Sequence, residues 1–142
     1  MLKIVNAFVK FSEIDQLKYP FLPDVVLTGS SANYNWTKHS DIDLHLKLDY
    51  DVFYSNAFAD NTRLLVKSKI QLWNLIYDVS IDGFNVELYP QDKNENHYST
   101  GLFSVKYNKW IKRPTYDPPS VNDSAVASKL KTYKEKIEKV LD

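Results

Sequence analysis

Asp41 and Asp43 stand one residue apart in DIDLHLKL, a run that otherwise alternates as a half-buried strand does. Ile42, Leu44, Leu46 and Leu48 fall on one face; Asp41, Asp43, His45 and Lys47 fall on the other. Two like charges so close repel and resist burial, so a positive partner is expected beside them. Glu87 occurs in a similar context in FNVELYP, where Phe84, Val86 and Leu88 share one face and Asn85, Glu87 and Tyr89 the other. If the two strands are neighbours, three carboxylates converge. Hard oxygen donors, in a chain without cysteine and with few histidines, suit Mg²⁺ or Mn²⁺ rather than zinc. Two such ions would cancel the repulsion, and paired ions stabilise both the attacking and the leaving oxygen of a phosphoryl displacement.

A complementary feature lies upstream in VVLTGSSANYNW. Gly29 ends a β-branched run where a short helix is expected to open, so backbone N–H groups there can point at a phosphate. Glycine lets the backbone approach closely, and Ser30 adds a hydroxyl donor. Several other residues are weighed against plainer roles. His45 follows Asp43 on the same face but reads as a polar surface residue. Asp82, beside Gly83, reads as a turn residue rather than the third acid. Ser99 and Thr100 before Gly101 read as loop, and Tyr107 and Trp110 as buried hairpin aromatics rather than base-stacking platforms. Lys106, Lys109, Lys112 and Arg113 are candidates to guide a nucleic acid, against the plainer reading of a solvated face.

The elements that must position these groups are legible in outline. Ile4, Phe8, Phe11, Ile14 and Leu17 recur at near-helical spacing over residues 1–18, before Pro20 and Pro23. DVVLTG reads as a buried strand, and DIDLHLKL as a second. DNTRLLVKSKIQLWNLIYD fits an amphipathic helix with Leu65, Val66, Ile70, Trp73, Ile76 and Tyr77 near one side. Asp82-Gly83 makes a turn into the third strand. GLFSVKYNKWIKRP suggests a hairpin turning at Tyr107 and Asn108. TYDPPSVND reads as a linker, with Asn122, Asp123 or Ser124 capping a last helix that carries Val126, Leu130, Tyr133, Ile137 and Val140 on one stripe.

The 142 residues suit one ordinary domain: a core with appended hairpin over 1–116, then a linker and a C-terminal helix over 117–142 that needs something to lie against and is expected to pack on the core. The absence of cysteine excludes disulfides, thiolate zinc sites and a cysteine nucleophile. No apolar run reaches membrane-spanning length, and Lys3, Lys10, Glu13 and Asp15 interrupt what would otherwise be a signal peptide. A cytoplasmic protein, with no membrane partner, is the default expectation. Net charge is zero but uneven: 9 Lys/Arg against 13 Asp/Glu in residues 1–100, and 9 against 5 in residues 101–142. An acidic body with a basic tail suits an anionic substrate held near a metal, and equally a set of basic residues lining a solvated helix face.

With LTGS (Leu27–Ser30), DID (Asp41–Asp43) and VEL (Val86–Leu88), the sequence resembles the nucleotidyltransferase superfamily, which includes DNA polymerase β, tRNA CCA-adding enzymes and oligoadenylate synthetases. Its signature is a strand ending in Gly-Ser, a short helical stretch, Asp-x-Asp on the next strand and a later third acid. The resemblance covers roughly residues 24–90. It implies that Asp41 and Asp43 are metal ligands, that Glu87 is the third carboxylate near the acceptor hydroxyl, and that Gly29 and Ser30 contact the nucleotide's phosphates. SANYNWTKHS, between Gly-Ser and the aspartates, has Lys38 and His39 where minimal toxin–antitoxin members often carry arginines.

The expectation is therefore an α/β (α+β) domain with a small mixed sheet flanked by helices. It would act as a minimal nucleotidyltransferase using two Mg²⁺ or Mn²⁺ ions and an NTP such as ATP. The reaction would transfer a nucleoside monophosphate to a hydroxyl of RNA, protein or a small molecule and release pyrophosphate. The alternatives are a catalytically silent nucleotide-binding or interaction module, and an adenylylating antitoxin.

Overall fold

In a computed structural model, which describes residues 1–14, 17, 20–116 and 122–141, these periods become a mixed sheet backed by helices. The elements run α1 (Leu2–Ser12), β1 (Asp24–Thr28), β2 (Ile42–Leu48), α2 (Asn56–Ile76), β3 (Ser80–Ile81), β4 (Phe84–Asp92), β5 (Leu102–Ser104), β6 (Lys109–Lys112) and α3 (Asp123–Leu141). The sheet order is β3-β4-β2-β1-β5-β6. β2 and β4 pair in parallel and the other neighbours antiparallel. The fold is α+β, as the sequence predicts.

The alternation in β2 sets the layers. Leu44, Leu46 and Leu48 are fully buried on one face, beside Val86 and Leu88 of β4. Val66, Ile70 and Trp73 of α2 cover that face, and Phe8 and Phe11 of α1 meet the Trp73 ring edge-on. The opposite face over β2 and β4 carries the polar set. Parallel strands need a long crossover, and α2 supplies it, which is why DIDLHL and NVELYP become neighbours across so much sequence. Asn74 of α2 then completes the outer edge of β4: its amide donates to the Leu88 carbonyl at 2.8 Å and accepts from the Leu88 N–H at 3.0 Å. A side-chain amide thus stands in for a strand residue where β3 is too short to reach.

Several boundaries differ from the sequence reading. The first helix stops at Ser12, not at residue 18. Glu13 turns left-handed, and the Ser12 hydroxyl donates to the Val9 carbonyl and accepts from the Ile14 N–H. Ile14 and Leu17 are buried beyond the helix end, so their spacing reports the core rather than a helix. The helical stretch after Gly-Ser is a single 3₁₀ turn, Ser30–Ala32. On α2, Leu65, Ile76 and Tyr77 are exposed, and Thr62 joins the buried side instead. The Asp82-Gly83 turn has positive φ at both residues (51° and 85°), the mirror-image turn that suits a tight hairpin, and it links β4 to the unforeseen β3. β5 and β6 form the expected hairpin, with Asn108 left-handed at φ 51°.

Residues 117–121 of the expected linker lie outside the described residues. In α3 the stripe residues Val126, Leu130, Tyr133 and Ile137 are all exposed. These are the side chains expected to rest on the core. Among the described residues no helix is long and apolar enough to cross a membrane.

Candidate functional site

The register across three strands builds the site. Asp43 lies opposite Thr28 of β1 on one side and opposite Glu87 of β4 on the other. Alternation keeps all three on the polar face, because cross-strand partners share a face. Asp43 and Glu87 are half-buried, while Asp41 precedes β2 and is exposed. Burial, then the neighbouring charges of Glu87 and Asp41, push the Asp43 carboxyl above its usual value. Both causes act in one direction: the site disfavours the bare carboxylate and favours a proton or a cation beside it.

Gly29 closes over this group. It holds φ 73° and ψ −162°, a conformation open essentially to glycine alone, and a Cβ there would lie 2.0 Å from Asp43 Oδ2. No side chain fits between the turn and the aspartate. Ser30 Oγ donates to Ser40 Oγ at 2.8 Å, and Ser40 Oγ accepts from the Thr37 N–H at the same distance. The loop ahead of β2 is thereby tied to the Gly-Ser turn. Asn33 braces the turn from below: its amide donates to the Gly29 carbonyl and to Ser99 Oγ, and its oxygen accepts from the Thr100 hydroxyl. A Cβ at Gly101 would collide with the Ala32 carbonyl, so that loop also needs glycine for close approach. Ser99 and Thr100 are therefore partners of Asn33.

A ring of polar and aromatic groups continues the face one pleat further. Tyr89 donates its hydroxyl to Glu87 Oε2 in a short hydrogen bond, and its ring packs on His45 at 5.2 Å. This donation, with burial and the nearby acids, holds the phenol protonated well above its ordinary range. His45 Nδ1 pairs with Gln91 Oε1 at 3.2 Å, which leaves the His45 Nε2 lone pair free in the neutral ring. Burial lowers His45 to about 4, with the adjacent His97 adding to the shift. A cavity of about 240 Å³ opens here, bounded by His45, Gln91, Glu95, His97 and Ser99.

Asp43 and Glu87 thus share one face, with the charge of Asp41 acting on Asp43 from just ahead of β2, Gly29 directly against Asp43 and Ser30 beginning the turn. Their donor chemistry suits a hard divalent ion, and the mutual repulsion at Asp43 suits positive charge. Among the described residues, no three His, Asp or Glu side chains are already gathered as a metal cage. Asp41 is turned to solvent and one Glu87 oxygen is taken by Tyr89. Asn33, Asn74, Thr28 and Tyr89 escaped the sequence reading. The alternation already put Tyr89 beside Glu87, but nothing local marked the other three. Of the basic residues weighed for nucleic acid, Lys106 is engaged by the Leu22 and Pro23 carbonyls, and Lys112 donates to the Ser99 carbonyl. Trp110 packs edge-on against Phe103, but Trp110 and Tyr107 are both exposed, not buried as the sequence suggests, because β6 is the outermost strand of the sheet. No protein-family model matches the chain, and no curated protein or solved structure is significantly similar to it.

Proposed function

We propose that this chain is a minimal metal-dependent nucleotidyltransferase, moving a nucleoside monophosphate from an NTP to a hydroxyl acceptor with release of pyrophosphate. The observation that carries the reading is the in-register placement of Asp43 beside Glu87, with Gly29 packed against the Asp43 carboxylate where only glycine fits. A structural aspartate gains nothing from a second carboxylate at its side. A site that accepts cations and phosphates does.

In this reading Asp41, Asp43 and Glu87 would hold Mg²⁺ or Mn²⁺, which would supply positive charge against the carboxylates and the phosphates. The chain's own work is positioning and electrostatics. Gly29 lets the triphosphate approach the turn backbone, and Ser30 can donate to a phosphate once its hydroxyl turns away from Ser40 Oγ. Glu87 accepts a hydrogen bond from the acceptor hydroxyl and takes its proton as the oxygen attacks the α-phosphorus and the bond to pyrophosphate breaks. Tyr89 fixes the Glu87 rotamer through its hydroxyl. ATP is the natural first candidate among the NTPs, and RNA or protein among the acceptors.

A second reading, a nucleotide-binding module without turnover, draws support from the exposure of Asp41 and the occupation of Glu87 by Tyr89. Calorimetry with a non-hydrolysable NTP tests whether the site is metal-bridged. Affinity should rise steeply when Mg²⁺ or Mn²⁺ is added, because phosphates complete the ion's coordination. Equal affinity with and without metal contradicts the metal-bridged site, and turnover separates the transferase from the silent module.

A further inference from the structure

We propose that α3 is one strand of a heteromeric coiled coil whose partner is an amphipathic helix of another protein, with Glu or Asp flanking its apolar seam. The inference does not depend on the transferase reading. Val126, Leu130, Tyr133 and Ile137 recur at steps of four, three and four residues, and Val140 continues the spacing in the sequence. That is the a/d pattern of a coiled-coil seam, narrower than the face of a helix built to cover a sheet. The first four side chains are 51–58 % exposed, so the seam is uncovered.

The residues beside the seam decide what covers it. In this register the flanking e and g positions hold Ala127, Lys129, Lys134 and Lys136, while Glu135 and Glu138 fall outside them. Every charged flanking residue is positive, and no ion pair involves α3 among the described residues. A parallel pair of α3 helices would set Lys129 against Lys134 of the other copy, and an antiparallel pair would set lysines against lysines again. Self-pairing is therefore disfavoured. The exposed apolar face of α2 (Phe58, Leu64, Leu65, Leu72, Leu75 and Ile76) fits no better, since it is broad and its one adjoining acid, Asp60, is outnumbered by Lys67 and Lys69. A lipid surface calls for a broad apolar face, and this seam is two positions wide with Tyr133 its one aromatic residue. An acid-flanked helix satisfies both the narrow seam and the lysines.

The test uses the full chain and two labelled three-heptad peptides with leucine at a and d, one with glutamate at every e and g position and one with lysine there. Fluorescence anisotropy should show the glutamate peptide binding at least about tenfold more tightly than the lysine peptide, an advantage that shrinks as salt rises. Leu130→Asp should abolish binding. The combined Lys129→Glu, Lys134→Glu and Lys136→Glu variant, checked for unchanged helicity by circular dichroism, should reverse the preference. The proposal is overturned if neither peptide binds, or if both bind equally. It is also overturned if sedimentation shows the chain self-associating through α3, or if phosphatidylserine vesicles capture it while the glutamate peptide does not.

Discussion

Asp43 of β2 and Glu87 of β4 are direct partners on adjacent parallel strands, and the Glu87 charge raises the cost of charging Asp43. Nothing in the hydrophobic core asks for that pairing, because both side chains lie on the face away from it. A cation bound beside them would remove that repulsion.

The first prediction concerns Asp43 and pH. Its folded-state pKa is raised above the unfolded value of 3.8, so the group favours the fold while protonated, and that contribution is lost as pH rises through the folded pKa. Without metal, Asp43→Asn should therefore be as stable as the parent at neutral pH or slightly more so. The difference should vanish as pH falls toward the unfolded value. Thermal melts in chelator across this range check it; a large loss of stability would mark the carboxylate as structural.

His45 runs the other way. Its folded pKa is lowered to about 4, so the neutral ring supports the fold above the unfolded value of 6.5, and that support is lost as pH falls toward the lower value. Nuclear magnetic resonance of the His45 ring proton should show a midpoint far below 6.5. A midpoint at the ordinary imidazole value would mean that the ring is solvated and its packing on Tyr89 and His97 is wrong.

Gly29→Ala should destabilise the chain by about 1–3 kcal/mol from backbone strain alone. Contact with Asp43 should add to that cost and displace the carboxylate. Denaturant titration gives the stability, and calorimetry of metal-dependent nucleotide binding gives the site. A variant as stable as the parent, with nucleotide binding intact, would remove the close approach from the account.

Asn74→Ala leaves the Leu88 N–H and C=O on the outer edge of β4 without their side-chain partner. A loss of about 1–3 kcal/mol is expected, read from the denaturant midpoint. Hydrogen exchange at Leu88 should quicken in the same variant. Unchanged exchange there would show that the amide pair does not hold the strand.

Much of this site was legible in the sequence because strand alternation has a period of two. A short run such as DIDLHLKL commits Asp43 and His45 to one face before any neighbour is known. Glu87 followed by the same reasoning. Which strands are neighbours is a long-range fact, fixed by α2 crossing between β2 and β4, so the convergence could be stated only as a condition. Asn33 and Asn74 were invisible for a related reason: Asn74 satisfies the backbone of a distant strand and Asn33 meets the Ser99 and Thr100 side chains of a distant loop, and an asparagine carries no local mark of either. The first helix was over-extended because Ile14 and Leu17 are buried for tertiary reasons that mimic helical spacing.

Transfer of label from an NTP is the most direct test of the central claim. The parent chain and Glu87→Gln are each incubated with Mg²⁺ or Mn²⁺, one labelled NTP at a time, and a mixture of RNA and protein acceptors. Glu87→Gln keeps the size of the side chain and removes the charge that acts mainly in the transition state. The account predicts label in one macromolecular class with the parent. For the variant it predicts retained NTP binding and a roughly thousandfold slower transfer, about 4 kcal/mol of lost stabilisation. Absence of transfer with every NTP, or transfer that Glu87→Gln leaves unchanged, would contradict it.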